Sequence, residues 1–185
     1  MVLLGGPGSG KSAFLRYVAV MLARNELNNG AEALPFWSVG RLVPIYISLG
    51  GFAEWLRTKQ ASATKDQLWQ YLGEALESPA LGRPEKSQRQ LFNASRLLLL
   101  FDGLDEVASG QRQPCIEAIN TFRTTHPSIR MAVCSRIEEY EQAKGLLKLN
   151  GAIRIASRDA FVIGIFYNLV SFSYKKKIFR NFKPN

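Results

Sequence analysis

The segment Gly5 to Ser12 reads GGPGSGKS and directly follows the apolar residues Val2 to Leu4. It fits the pattern G-x-x-x-x-G-K-[ST], in which the backbone N–H groups of a glycine-rich loop surround a row of phosphates. Such a loop turns tightly, and four of these eight residues are glycine, which adopts the required backbone angles at little cost. The pattern therefore predicts a phosphate-binding loop, whose residues are Gly5, Gly6, Pro7, Gly8, Ser9, Gly10, Lys11 and Ser12.

The residues on either side of the loop agree with this prediction. Val2 to Leu4 form a short apolar run consistent with a buried strand, and apolar residues recur at helical spacing from Ala13 to Leu22. A helix that begins at the loop would point its positive end at a bound anion. We expect Lys11 to reach the β- and γ-phosphates and the Ser12 hydroxyl to join the ligands of Mg²⁺. The alternative is a plain glycine-rich turn, which gives no reason for a Lys-Ser pair at this position.

A second informative segment, Arg96 to Val107, reads RLLLLFDGLDEV. Its apolar run shows no alternation, which is typical of a strand buried on both faces in a parallel sheet. Three carboxylates follow, at Asp102, Asp105 and Glu106. Beside a phosphate-binding loop, Asp102 is the candidate for holding Mg²⁺, directly or through water, while Asp105 and Glu106 are candidates for positioning or deprotonating an attacking water. The alternative is that these acidic residues cap a helix predicted from about Gln111 to Phe122.

A third segment, Ile129 to Arg136, reads IRMAVCSR and predicts a strand that ends in a cationic residue. A cation at this end of the strand would face the γ-phosphate and could report its presence. The alternative for Arg136 is an ion pair at the protein surface.

The remaining apolar segments complete an alternation of strands and helices. Leu42 to Leu49 predicts a strand, and Pro44 within it favours a place at the sheet edge. Phe52 to Leu56 and Gln67 to Leu76 predict helices, and Ile153 to Ala156 predicts a last short strand. This alternation predicts an α/β fold, a parallel sheet flanked by helices with right-handed crossovers.

The composition favours one globular domain and weighs against two classes of partner. The chain has 185 residues, is 46% hydrophobic and carries a net charge of +9. Residues 151–185 contain seven basic side chains and one acidic one, so much of the excess charge lies there, which weakens a nucleic-acid interpretation of the whole domain. The sequence has no apolar run of the roughly 18 residues needed to cross a bilayer and no visible signal peptide. We therefore expect neither nucleic acid nor a membrane as a partner.

The two cysteines, Cys115 and Cys134, have neither the spacing of a metal site nor the number of a disulfide framework. A reducing compartment is the simplest interpretation. We expect a cytoplasmic protein in which both cysteines are small core residues.

Together, GGPGSGKS, LLLLFDGLDEV and VCSR resemble the motifs of the NACHT family, in the signal-transduction (STAND) branch of P-loop ATPases. The D-G-L-D-E string is the most specific part of this resemblance, which spans residues 1 to about 156. It implies that Gly5 to Ser12 are the Walker A loop and that Asp102 is the Walker B residue, which binds Mg²⁺. It further implies that Asp105 and Glu106 are an extended acidic pair and that Arg136 is a sensor arginine. The implied fold is the three-layer P-loop NTPase sandwich, with the strand order 5-1-4-3-2.

The resemblance also implies a function, an ATP-driven switch with slow hydrolysis. In such a switch ADP holds a closed state, and exchange for ATP permits oligomerisation through the NTPase domain and signalling to a fused effector domain. The implied cofactors are ATP or ADP and Mg²⁺.

The sequence departs from the family pattern at both ends. We expect no effector domain before the first strand, and beyond about residue 156 the sequence does not resemble the helical and winged-helix region, which clamps the nucleotide in family members, or their repeats. Residues 157–185 instead form a divergent tail rich in aromatic and basic residues, for which a membrane-surface helix is the less favoured alternative to a collapsed or disordered tail. We therefore expect a truncated member of the family, with its nucleotide-binding domain at residues 1–156.

Three other functions are alternatives. A degenerate scaffold with little nucleotide turnover is favoured by the expected lack of the helical and winged-helix region, which clamps the nucleotide in family members, and by the divergent tail. A GTPase is less favoured because the sequence has no N-K-x-D string to recognise guanine. A kinase is not excluded by the loop alone, but the sequence offers no obvious acceptor-binding motif, and the acidic pair favours water as the acceptor.

Overall fold

The chain alternates strands with helices. The structure, a computed structural model, describes residues 1–29, 40–76, 96–143 and 146–155. The elements in these residues are, in chain order, β1 (Val2–Gly5), α1 (Lys11–Leu27), β2 (Val43–Ser48), α2 (Leu49–Thr58), α3 (Lys65–Leu76), β3 (Leu97–Asp102), a 3₁₀ turn (Leu104–Glu106), α4 (Ser109–Thr125), β4 (Arg130–Arg136), α5 (Ile137–Glu141) and β5 (Ala152–Ile155).

The five strands form one sheet of the order β2-β3-β4-β1-β5, and every neighbouring pair is parallel. This confirms the predicted α/β P-loop fold and the order 5-1-4-3-2, in which β4 separates β3 from β1. All six residues of β3 are buried, as its unbroken apolar run predicts. Pro44 lies on the edge strand β2, where its missing N–H is tolerated, and this confirms the predicted position.

Helices cover both faces of the sheet, and each face buries its own core. On one face α1 packs Leu15 against strand residues that include Leu100. On the other face α2, α3 and α4 pack against the sheet, with Phe52 and Phe122 in the same core as Phe101. Successive strand residues point to opposite faces, so Leu100 and Phe101 belong to different cores. The architecture is the predicted three-layer sandwich.

The connection from β2 to α2 is tighter than the sequence indicates. The strand ends at Ser48 and the helix begins at Leu49, three residues before the predicted start at Phe52. The Ser48 hydroxyl accepts a hydrogen bond from the Gly51 N–H at 3.2 Å and so caps the helix. The sequence does not indicate this early start of the helix, because positions 50 and 51 are glycine, which is a weak helix former.

Cys115 and Cys134 are both free and buried, as predicted for small core residues. Burial raises the pKa of Cys115 to about 11, and it also raises the pKa of Cys134. Neither thiol therefore ionises readily in the folded chain.

The predicted tail at residues 157–185 and Ala156 lie outside the described residues. Among the helices that the structure does describe, none combines the length and apolar character needed to cross a bilayer.

Candidate functional site

The three motifs meet at one edge of the sheet. Gly5, Asp102 and Arg136 are the last residues of β1, β3 and β4. Gly5 lies opposite Arg136 in the β1–β4 register. Since the strands are parallel, their carboxyl ends lie at the same edge, where open α/β sheets bind ligands. The fold thus brings together residues more than a hundred positions apart in sequence.

The glycine-rich loop joins β1 to α1 through left-handed backbone conformations. Gly8 has φ 67° and Gly10 has φ 86°, values that favour glycine. The Ser9 N–H donates to the Gly6 carbonyl at 3.3 Å and closes a turn. Gly10 occupies the N-cap position of α1 and has no side chain with which to cap it. The helix therefore presents its first N–H groups and the positive end of its dipole to the loop.

Three glycines of this loop have open space where a side chain would stand. A Cβ atom added at Gly6, Gly8 or Gly10 would meet no atom of the described residues within 4 Å. Gly5 is different, because a Cβ there would lie 2.5 Å from the Ser9 Oγ and 3.4 Å from the Ile155 carbonyl oxygen. Gly5 thus permits the close approach of β1, the loop and β5, while the later glycines leave the surface of the loop uncovered.

Lys11 folds back over the loop that precedes it. Its amine donates to the carbonyl oxygens of Gly5 and Gly6, each at 2.9 Å, and to the Ser9 Oγ at 3.4 Å. The positive charge is thereby held beside the open glycines and the first turn of α1. This position suits attraction of an anion.

Ser12 and Asp102 form the contact that best fits a divalent cation. The Ser12 Oγ donates to the Asp102 Oδ1 at 3.0 Å, and the Asp102 residue is only 7% exposed. A hydroxyl and a carboxylate are hard oxygen ligands, which Mg²⁺ prefers. Among the described residues no group of three His, Cys, Asp or Glu side chains is placed to hold a metal. A hydroxyl and a carboxylate suit Mg²⁺, which is usually held by one or two protein oxygens and takes phosphate and water as its other ligands.

Two residues that the sequence analysis missed complete the surroundings of Asp102. The Tyr46 hydroxyl donates to the Asp102 Oδ2, and the Arg16 Nε donates to the Tyr46 hydroxyl oxygen at 3.2 Å. The Arg16 guanidinium also lies 5.5 Å from the centre of the Tyr46 ring. Burial, followed by the hydrogen bond to Asp102, raises the pKa of Tyr46, so its phenol stays protonated and able to donate. The sequence signal that could have indicated Tyr46 is the alternation of side chains along a strand, which places Tyr46 on the same face of β2 as Ser48.

Asp105 and Arg136 bind each other. The Asp105 Oδ1 accepts the Arg136 backbone N–H at 3.1 Å, and the Oδ2 lies 3.0 Å from the Arg136 Nε. The Asp105 side chain is 10% exposed and the Arg136 side chain is 47% exposed. Arg136 has a second acidic partner, the Glu139 Oε1, at 3.4 Å from its Nη1. The ion pair foreseen as the alternative for Arg136 is thus present, and the γ-phosphate role stays a prediction.

Glu106 is the exposed member of the acidic cluster. Its carboxylate lies over Gly103, where an added Cβ would be 2.7 Å from the Glu106 Oε2, and near Gly50 at the start of α2. Gly103 has φ 76°, which turns the chain from β3 into the 3₁₀ turn. The N-cap of α4 is Ala108, so the acidic residues do not take the helix-capping position considered from the sequence.

A third residue that the sequence analysis missed is Arg112 in α4. Its guanidinium donates to the carbonyl oxygens of Leu104 at 3.3 Å, Asp105 at 3.1 Å and Val107 at 3.1 Å. It therefore fixes the backbone of the turn that presents Asp105 and Glu106.

A pocket of about 190 Å³ opens beside the glycine-rich loop. It is lined by residues of the loop, of the end of β4 with α5, and of β5: Gly6, Pro7, Arg136, Ile137, Glu138, Glu139 and Arg154. Arg154 adds a cation from β5 that the motifs do not indicate.

Comparison with known proteins agrees with this geometry. The family model described as NACHT domain matches residues 1–156, which include the loop, the acidic cluster and all five strands. No curated protein matches the chain. The matched region covers most of the 185 residues. The chain belongs to the NACHT domain family.

Proposed function

We propose that residues 1–156 form a Mg²⁺-dependent ATP-binding switch domain that hydrolyses ATP slowly and acts in signal transduction. The observation that best supports this is the Ser12–Asp102 contact at 3.0 Å beside the loop that holds the Lys11 amine. A phosphate-binding surface and a pair of hard oxygen ligands thus lie together at the carboxyl edge of the sheet.

The loop and α1 would bind the phosphates of the nucleotide. The backbone N–H groups of Gly6, Gly8 and Gly10 to Ser12, together with the Lys11 amine, would supply hydrogen-bond donors and positive charge. Ser12 and Asp102 would hold Mg²⁺, which neutralises phosphate charge when it is bound.

Hydrolysis would need a group that orients water, and we assign this role to Glu106. This residue is exposed, whereas both carboxylate oxygens of Asp105 are engaged by Arg136. Glu106 would orient a water toward the γ-phosphorus and take its proton at the carboxylate, while the bond between the γ-phosphorus and the leaving oxygen of ADP breaks. Asp105 would position Arg136 and the turn beside it.

Arg136 would make the domain responsive to the γ-phosphate. It is half-exposed, lines the pocket beside the loop and is paired with acidic side chains in this structure. In our proposal the γ-phosphate of ATP competes with Asp105 and Glu139 for the guanidinium, and ADP leaves the ion pairs intact. Signalling would then follow through homo-oligomerisation and through effector or repeat domains. The buried free cysteines fit the cytoplasm as the compartment.

A scaffold that binds nucleotide with little turnover is the second candidate. The mutual pairing of Asp105 and Arg136 favours it, because the charged groups of both side chains are already engaged with each other in this structure.

Competition binding tests the choice of nucleotide. A fluorescent ATP analogue would be bound to the full chain in Mg²⁺ and displaced with ATP, ADP or GTP. We expect ATP and ADP to displace it at similar concentrations and GTP to need about tenfold more, a difference of roughly 1.4 kcal/mol. Equal displacement by GTP would contradict the ATP-specific assignment. Phosphate release from ATP, measured on the same sample, separates the slow ATPase from the scaffold.

A further inference from the structure

Both oxygens of the Asp102 carboxylate accept hydrogen bonds from protein hydroxyls. The Oδ1 accepts from Ser12 at 3.0 Å and the Oδ2 accepts from Tyr46. A carboxylate with one donor can still rotate about its terminal bond, whereas donors on both oxygens fix its plane. Tyr46 therefore fixes the plane of the Asp102 carboxylate, with one oxygen directed to Ser12 and the other to Tyr46.

Tyr46 is held in place from a second side by α1. Ser12 and Arg16 lie four residues apart on this helix, so they share one of its faces. Arg16 donates to the Tyr46 hydroxyl oxygen at 3.2 Å and stacks over its ring. With its oxygen accepting from Arg16, the phenol directs its hydrogen to Asp102. The contacts of Ser12 with Asp102, of Asp102 with Tyr46 and of Tyr46 with Arg16 thus form a chain that starts and ends on α1.

Simple packing does not account for the hydroxyl of Tyr46. Its ring packs against the core under α1, and phenylalanine would fill that place as well. The hydroxyl adds a hydrogen bond to the nearly buried carboxylate, which phenylalanine cannot make.

We propose that Tyr46 is a positioning residue for the cation ligand Asp102, which its hydroxyl holds with Oδ1 turned toward Ser12. The proposal rests on the function proposed above, because it assigns Asp102 to Mg²⁺. It links the metal site to the edge strand β2, which contributes no residue to the three sequence motifs. Partners of metal ligands in this second layer change metal affinity by about 10- to 100-fold when they are removed.

The Mg²⁺ dependence of nucleotide binding tests the proposal. The dissociation constant of ADP would be measured by calorimetry on the full chain, once with Mg²⁺ and once with EDTA. We expect Tyr46→Phe to reduce the gain in affinity from Mg²⁺ by about tenfold and to leave the affinity in EDTA unchanged. A merely structural role would change both affinities together or neither of them.

Matched variants keep the outcomes distinct. Tyr17→Phe removes a hydroxyl from a 49% exposed tyrosine of α1 and should retain the parental Mg²⁺ dependence. Arg16→Met removes the donor to Tyr46 and should lower that dependence in the same direction by a few fold, which keeps the test available if Tyr46→Phe does not fold. If Tyr46→Phe folds and keeps the parental Mg²⁺ dependence, the inference about Tyr46 is overturned while the proposed metal site still stands. If Tyr46→Phe does not fold, parental Mg²⁺ dependence in Arg16→Met has the same meaning. A parent chain whose affinity is the same in Mg²⁺ and EDTA would overturn the proposed metal site as well.

Discussion

Replacing Gly103 with alanine perturbs the acidic turn at a single point. Gly103 follows Asp102 with φ 76°, in the left-handed region where side chains are strained. A Cβ at this position would lie 2.7 Å from the Glu106 Oε2 and 2.8 Å from its carboxyl carbon. Because the obstructing atoms end a flexible side chain, we expect Glu106 to swing away and the backbone to keep its path.

The left-handed backbone determines the size of the effect on stability. A residue other than glycine in this region costs roughly 1–2 kcal/mol. For a domain of this size, a loss of 1 kcal/mol lowers the melting temperature by roughly 2–4 °C. We therefore expect Gly103→Ala to melt about 2–8 °C below the parent, to bind ADP normally and to lose most of its ATP hydrolysis, because Glu106 is displaced.

Thermal unfolding, ADP titration and phosphate release on the same samples measure these three effects. The matched control is Gly110→Ala in the first turn of α4, where an added Cβ meets no described atom within 4 Å. Alanine favours a helix over glycine, so this control should melt at or slightly above the parental temperature. If Gly103→Ala melted with the parent, the left-handed turn would be refuted. If it lost stability but kept full hydrolysis, the displacement of Glu106 or its role with water would be refuted.

Two further predictions concern single side chains. Glu106→Gln should retain nucleotide affinity and lower ATP turnover by about 100-fold or more, since an amide cannot accept the proton of water. Glu117→Gln on the exposed face of α4 is the control. Parental turnover in Glu106→Gln would contradict the assignment. A thiol reagent at pH 8 should leave Cys115 and Cys134 unlabelled in the folded chain and should label both in denaturant. The reason is that both thiols are buried and that burial raises the pKa of both, that of Cys115 to about 11. Fast labelling of the native chain would contradict their burial.

Much of the fold and of the site could be predicted because the relevant signals are local. The glycine pattern from Gly5 to Ser12 specifies a loop whatever surrounds it, and the apolar run before Asp102 specifies a central strand. Pro44 placed β2 at the sheet edge through the chemistry of a single missing N–H. The strand order itself came from the family resemblance, because periodicity does not tell which strands are neighbours.

The partners of individual polar side chains could not be predicted in the same way. Tyr46 and Arg112 resemble ordinary strand and helix residues in the sequence. Tyr46 contacts Asp102, which lies 56 residues away in the chain. The contacts of Arg112 are local, with carbonyl oxygens 5 to 8 residues earlier, but they depend on the path that the 3₁₀ turn takes. The pairing of Arg136 with Asp105 is a choice among several nearby anions, which depends on the path of the 3₁₀ turn. Such choices depend on tertiary geometry, which no single segment encodes.

Calorimetric titration of Mg·ATP and Mg·ADP into the full chain, with Lys11→Ala alongside, tests the central claim most directly. Lys148→Ala, at an exposed lysine before β5, controls for the loss of one positive charge. The account predicts binding in the micromolar range by the parent and by Lys148→Ala, and its loss in Lys11→Ala. A folded parent chain that binds neither nucleotide, or a Lys11→Ala chain that binds them as the parent does, would contradict the account.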